Sequence, residues 1–380
     1  MQQKIRKLGT MEDGIALLNE QCKSLNIVIY GFVAGKNISS HLLEEAWLRV
    51  ISTDIFARST IILERKERFF YYKGLIPVIS EVSSDLDSLV CQQLNQPFRN
   101  GGSLLRCHYI RQGDGFDLVI TIHHSIGDAA SGLSFYKRTV SEYDSLLSSS
   151  PFSSEFKSSL LLSDTPNSLE SLIKNTYGEN LERRIQRHEA NPVKIFERNS
   201  NFISFDERYC LINRLNLSKS LSLKVFSSCK KHKTTVHGLL CAVLIQCLWK
   251  IENINSESDF SFSCRSSVNL RERLGSIYEA SDKLSMRVSS VTSFHSYSEK
   301  QSIWELAQDS RGKVKDLLTY DQAYRTVIDY SENIHKAIKY QSFKSPSVFI
   351  SNFGKIPGNV KTKNVKLTSL SYCLSTNIPL

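Results

Sequence analysis

No part of this chain is apolar for long enough to cross a bilayer. The longest such run, GLLCAVLIQCLW from Gly238 to Trp249, is shorter than the roughly 20 residues a helical span requires. The amino-terminal stretch MQQKIRKLGTMEDG lacks the apolar segment of a secretory signal. The expectation is therefore a cytoplasmic protein with no transmembrane segment, whose membrane contact, if any, is peripheral. The nine cysteines include no C-x-x-C pair and sit at irregular spacings, which excludes a zinc ribbon and a disulfide framework and leaves reduced, mostly buried thiols. H-E-x-x-H is missing, so no zinc protease helix is present, and without G-x-S-x-G there is no hydrolase nucleophile elbow. No repeat with a period of 20 to 50 residues signals a solenoid or propeller. The densest cationic run, CKKHK at Cys229 to Lys233, reads as a short loop without interleaved aromatics, which argues against nucleic acid.

What is present is enough for a large folded protein. At 380 residues the chain exceeds the roughly 250 to 300 at which single cores divide, so two lobes are expected. Forty-eight Lys and Arg against 38 Asp and Glu give a formal charge of +10. That balance favours anionic partners such as a phosphorylated cofactor, an acidic carrier protein or a lipid surface. NIVIYGFVAG (Asn26 to Gly35) reads as a strand and SSHLLEEAWLRVIS (Ser39 to Ser52) as a serine-capped helix. Two further strands flank the turn residues Gly113 to Gly115, and apolar spacing from Leu133 to Leu147 predicts a helix laid on that sheet. The serine-rich stretch from Ser148 to about Ser168 reads as a flexible connection. The division expected is an amino-terminal lobe over 1–165, a crossover over 166–200 and a carboxy-terminal lobe over 201–380. The second lobe should open with a strand near Asn201, then a helix near Ser218 to Cys229 and an apolar helix from Thr235 to Trp249.

The chemistry concentrates in TIHHSIGDAASG, Thr121 to Gly132, at a strand-to-helix corner. Adjacent histidines on a strand face opposite sides, so one metal cannot easily use both, and no metal site is expected. Ser125 lacks the setting of a nucleophile. What remains is a single histidine as general base, with the carboxylate four residues on holding the corner in shape.

His123, His124 and Asp128 form H-H-x-x-x-D, which resembles the signature of the chloramphenicol acetyltransferase-like superfamily: condensation domains, BAHD acyltransferases and polyketide-associated acyltransferases. RKLGTMEDG, FARSTI, CKKHKTTVHGLLCAVL, VNLRER and SNFG (Ser351 to Gly354) resemble further anchors of that family, in its order. The resemblance implies an α/β fold: a pseudo-dimer of two lobes, each a mixed sheet with helices on one face, around an active-site channel. It implies His124 as the catalytic base and His123 as structural. Asp128 would pair with an arginine of the second lobe, Arg271 first, with Arg273 and Arg265 as fallbacks. Ser351 and Asn352 would either polarise the thioester oxygen or close a turn. No tightly bound cofactor is implied; the donor would be acyl-CoA or a phosphopantetheinyl acyl carrier protein, and the acceptor an alcohol or, alternatively, an amine. A catalytically silent binding protein is the third reading. The lysines at 230–233 would touch donor phosphates or an acidic carrier, or form a solvated turn. Two departures stand out. Ala129 replaces the family's usual glycine, which is acceptable at a helix start but strained at positive φ. The segment after Gly354 is also short of the further strands relatives carry, so the expectation is either a trimmed second lobe or an incomplete gene product.

Overall fold

The computed structural model describes residues 2–23, 25–35, 38–148, 165–178, 194–196, 207–252, 254, 261–277, 283–340, 346–356, 360 and 362–375. The flexible connection expected after Ser148 and the strand expected near Asn201 lie mostly outside these residues.

The strands are β1 (Gln3–Lys7), β2 (Asn26–Gly35), β3 (Ser59–Glu64), β4 (Glu67–Tyr72), β5 (Ile79–Glu81), β6 (Leu105–Gln112), β7 (Gly115–His123), β8 (Phe262–Asn269), β9 (Val288–His295), β10 (Val348–Ile350), β11 (Val365–Leu367) and β12 (Ser371–Leu374). The helices are α1 (Thr10–Cys22), α2 (Ser40–Ser52), α3 (Leu86–Asn95), α4 (Ala129–Ser148), α5 (Leu169–Tyr177), α6 (Lys219–Lys231), α7 (Val236–Ile251), α8 (Ile303–Thr319) and α9 (Gln322–Lys339).

The first sheet runs β11-β2-β7-β6-β5, with β12 also on β2, and a small sheet β1-β4-β3 stands beside it. β6 and β7 form a hairpin closed at Gly113, whose φ of +51° only glycine adopts without strain. On β7 the even residues Leu118, Ile120 and Ile122 meet Trp47 of α2 and Phe135, Tyr136 and Val140 of α4. The odd residue Val119 meets Leu89, Val90 and Leu94 of α3 on the opposite face. β7 is therefore buried on both sides, which explains an apolar run at its centre without alternation. Gly132 lets α4 approach the sheet: a Cβ there would lie 2.9 Å from Ile122 Cδ1 and closer still to Ile29. The amino end of α2 is set by Ser39, whose Oγ accepts from the Leu42 N–H.

The second sheet, β10-β8-β9, places Phe262, Cys264 and Val268 of β8 on one face. α7 and α8 cover one end of that face and α1, α5 and α9 the other. α6 and α7 lie where the sequence puts two helices, with Ser218 and Thr235 as caps. Cys229 to Lys231, read as loop, is instead the last turn of α6, because the serine-capped apolar spacing runs on to Lys231.

The expected lobe boundary is crossed twice. α1 packs Met11, Ile15 and Leu18 against Tyr324 and Val327 of α9. After the Ser351–Gly354 loop the chain returns to the first sheet, where β11 and then β12 pair antiparallel with successive halves of β2. The segment after Gly354 therefore carries two strands. The reason is the unpaired edge β2 would otherwise expose.

Candidate active site

β7 ends at His123, and the chain turns through His124–Gly127 into α4. Asp128 caps that helix: the Ser131 N–H donates to Asp128 Oδ1 at 3.0 Å, and Asp128 N–H donates to Ser131 Oγ at 3.1 Å. Ala129 thus occupies the first helical position with no positive φ, so glycine is not required there.

The two histidines are held differently. His123 Nδ1 accepts from the Ser125 N–H (3.2 Å) and lies 2.7 Å from Ser125 Oγ, and its ring lies 5.3 Å from that of Phe98. Burial, then His124 and Arg106, push its pKa down to about 3. Ser125 is sealed from solvent and turned to this lone pair, a structural role. His124 Nδ1 lies 2.7 Å from the Gly127 carbonyl. A carbonyl only accepts, so Nδ1 carries the hydrogen and the Nε2 lone pair is free. No hydrogen bond among the described residues engages Nε2, and the residue retains 8 % exposure. Burial lowers its pKa below the ordinary histidine value, against the raising influence of Gly127 and Asp128, so the ring is neutral near pH 7.

Asp128 points to the second lobe. Its Oδ2 accepts from Arg271 Nη1 and from the Arg287 N–H, each at 2.7 Å. Burial alone would raise this carboxyl, but Arg271 and the donated hydrogen bonds hold it below the usual aspartate range. Arg273 instead bonds the Leu318 carbonyl and Arg265 bonds Thr292, so neither fallback reaches Asp128.

Ser351 and Asn352 follow β10 and line a cavity of about 400 Å³ with Leu240, Phe349, Tyr372 and Leu374. Asn352 Oδ1 accepts from the Gly354 N–H at 2.8 Å, with Gly354 at φ +71°, and Ser351 Oγ lies 3.2 Å from Tyr372 Oη. These are the bonds of a closed turn, and none among the described residues joins either side chain to His124. The cavity has walls from both sheets. Leu374 pairs with Ile27, which pairs with Ile122. Two strand spacings, about 10 Å, therefore separate the cavity wall from the end of β7.

Residues 207–379 match the family described as phthiocerol/phthiodiolone dimycocerosyl transferase C-terminus. Polyketide synthase associated protein 5 from Mycobacterium tuberculosis superposes with a TM-score of 0.67 at 15% identity, covering 100% of this chain and 90% of that one. The chain shares the fold of that protein. The first condensation domain of the calcium-dependent antibiotic synthetase, in complex with a substrate analogue, gives 0.67 at 10% identity, over 98% of this chain and 84% of that one. The starter condensation domain of rhizomide synthetase, in complex with C8-CoA, gives 0.62 at 14%, over 90% and 77%. No curated protein matches.

In this chain the Asp128 contact is part of a larger clasp that the motif does not announce. Leu284 N–H donates to Asp54 Oδ2 at 2.7 Å, and Ser131 Oγ donates to the Ser285 carbonyl at 3.0 Å. Arg271 Nη2 donates to the same carbonyl at 3.3 Å. The stretch Leu284–Arg287 is thereby fastened to Asp54, Asp128 and Ser131 of the first lobe. Only Asp54, which follows the end of α2, carries a local signal: its Oδ1 accepts from Phe56 and Ala57 N–H groups. His295, unassigned from sequence, joins Ser293 Oγ (2.7 Å) to Asp309 Oδ2 (2.6 Å). Both Ser293 and His295 are buried, and this line of groups ties α8 to β9.

Proposed function

We propose that the protein transfers an acyl group from a coenzyme A or carrier-protein thioester to an alcohol, forming an ester, with His124 as the general base. The observation that carries this reading is the His124 tautomer: Nδ1–H is committed to the Gly127 carbonyl, which leaves Nε2 as an unprotonated acceptor. Nε2 takes the hydroxyl proton as the acceptor oxygen attacks the thioester carbonyl. The tetrahedral intermediate then expels the thiolate, the C–S bond breaks, and the proton passes from Nε2 to sulfur. Ester and free thiol leave, and the imidazole is restored. Asp128 faces Arg271 and contributes architecture. The likeness to a condensation domain in complex with C8-CoA supports a thioester donor, and the match to a dimycocerosyl transferase family supports an alcohol acceptor.

Positioned proton transfer contributes about 10² to 10⁴ in rate. His124→Ala should reduce thiol release from an acyl-thioester panel by that factor, with the Tm recorded on the same sample. A neutral base with a lowered pKa predicts a wild-type rate that is flat near pH 7 and declines only below 6.5. Equal thiol release by both proteins would leave a binding role alone, and product formed only from amines would replace the ester by an amide.

A further inference from the structure

Between Arg208 and Ile251 the sequence has eight Lys and Arg and no Asp or Glu, a net +8 against +10 for the whole chain. The same stretch holds much of the exposed apolar surface. α7 is apolar on two faces: Gly238, Cys241, Ala242, Ile245 and Trp249 face the core. Leu240, Leu244, Cys247 and Ile251 form a second stripe at helical spacing that is open to solvent, Ile251 being 65 % exposed. A helix of that composition is ordinarily covered on every side. α6 buries only Cys229 and leaves Leu221, Leu223 and Phe226 outside, Phe226 being 60 % exposed. The two helices meet at 97°. Neither is long and apolar enough to cross a membrane. Lys219, Lys224, Lys230, Lys231, Lys233 and Lys250 are exposed, and none forms an ion pair among the described residues.

We propose that α6 and the outer stripe of α7 dock on an anionic lipid bilayer, with the leucines and Phe226 entering the interface and the lysines at the phosphates. Lysine stems can lie along apolar surface while their ammonium groups reach headgroups, which suits this interleaving of exposed leucines and lysines. A second copy of the chain would bring two acid-free, lysine-rich segments together, and their charges would repel. Leu240 belongs both to the exposed stripe and to the cavity wall, so the docked face borders the cavity between the sheets. The inference stands independently of the chemistry assigned to His124.

The test is flotation of the full chain with phosphatidylcholine vesicles, with and without phosphatidylglycerol, at low and high salt. Binding should require the anionic lipid and weaken with salt. Each lysine near such a surface contributes roughly fivefold, so Lys224→Gln, Lys230→Gln and Lys231→Gln together should weaken binding about 100-fold with no change in Tm. Phe226→Ser with Leu244→Ser should weaken it at least about tenfold, from the loss of buried apolar area. Absence of wild-type binding, or equal binding to neutral vesicles, overturns the proposal. So does a dimer in solution that Leu244→Ser dissolves, or capture of an acidic carrier protein that these lysines support while vesicles are ignored.

Discussion

Replacing Asp128 by alanine removes a carboxylate that is almost wholly buried and receives hydrogen bonds from Arg271, the Arg287 N–H and the Ser131 N–H. The Arg271 side chain, mostly covered, stays behind without its counter-ion. Breaking a buried pair from one side costs about 3 to 5 kcal/mol. Unfolding entropy of roughly 2.1 cal/mol/K per residue gives about 0.8 kcal/mol/K for a chain of this length unfolding as one unit, so the Tm should fall by about 4 to 6 °C. Arg271→Met leaves the carboxylate alone and should cost a similar amount. The double variant should lose less than the two single losses summed, by about 1 to 3 kcal/mol, because the second change removes a charge already stranded. Urea unfolding of all four proteins measures this directly. Losses that add to within about 0.5 kcal/mol, or an Asp128→Ala Tm within 1 °C of wild type, would refute the clasp as a holder of the two lobes. Because the carboxylate is engaged by Arg271 and the Arg287 N–H and, among the described residues, makes no hydrogen bond with His124 Nε2, turnover per folded molecule should suffer less than in His124→Ala.

Two further outcomes follow from neighbouring residues. His123, whose pKa burial depresses to about 3, stays neutral while the unfolded chain takes up a proton near 6.5. Stability should therefore fall as pH drops from 6.5 toward 3, and His123→Asn, whose amide oxygen can accept from the Ser125 N–H, should flatten that slope by about one proton in urea titrations at stepped pH. Gly132→Val should lower the Tm by several degrees, since its side chain would strike Ile29 and Ile122 in a packed interface, and an unchanged Tm would show that α4 moves away at no cost.

The residues themselves decided more of the first sheet than of the second. β2, α2, the β6–β7 hairpin and α4 were legible because their cues are local: β-branched runs, a serine cap, a glycine turn, apolar positions at helical spacing. The same holds for the placement of His124 and Asp128 at the corner between β7 and α4, which six consecutive residues define. Even the choice of Arg271 was available, through resemblance, 143 positions away. The tertiary structure alone decided the rest. That Ala129 is harmless depends on Asp128 capping a helix whose first residue needs no positive φ. That the chain after Gly354 returns to the first sheet depends on an open edge of β2 far earlier in the sequence. That Leu284–Arg287 clasps Asp54, Asp128 and Ser131 depends on backbone N–H and carbonyl groups, which every residue carries and no motif records. Side-chain periodicity is written in neighbouring letters, whereas the pairing of backbone groups across lobes exists only once the chain has folded.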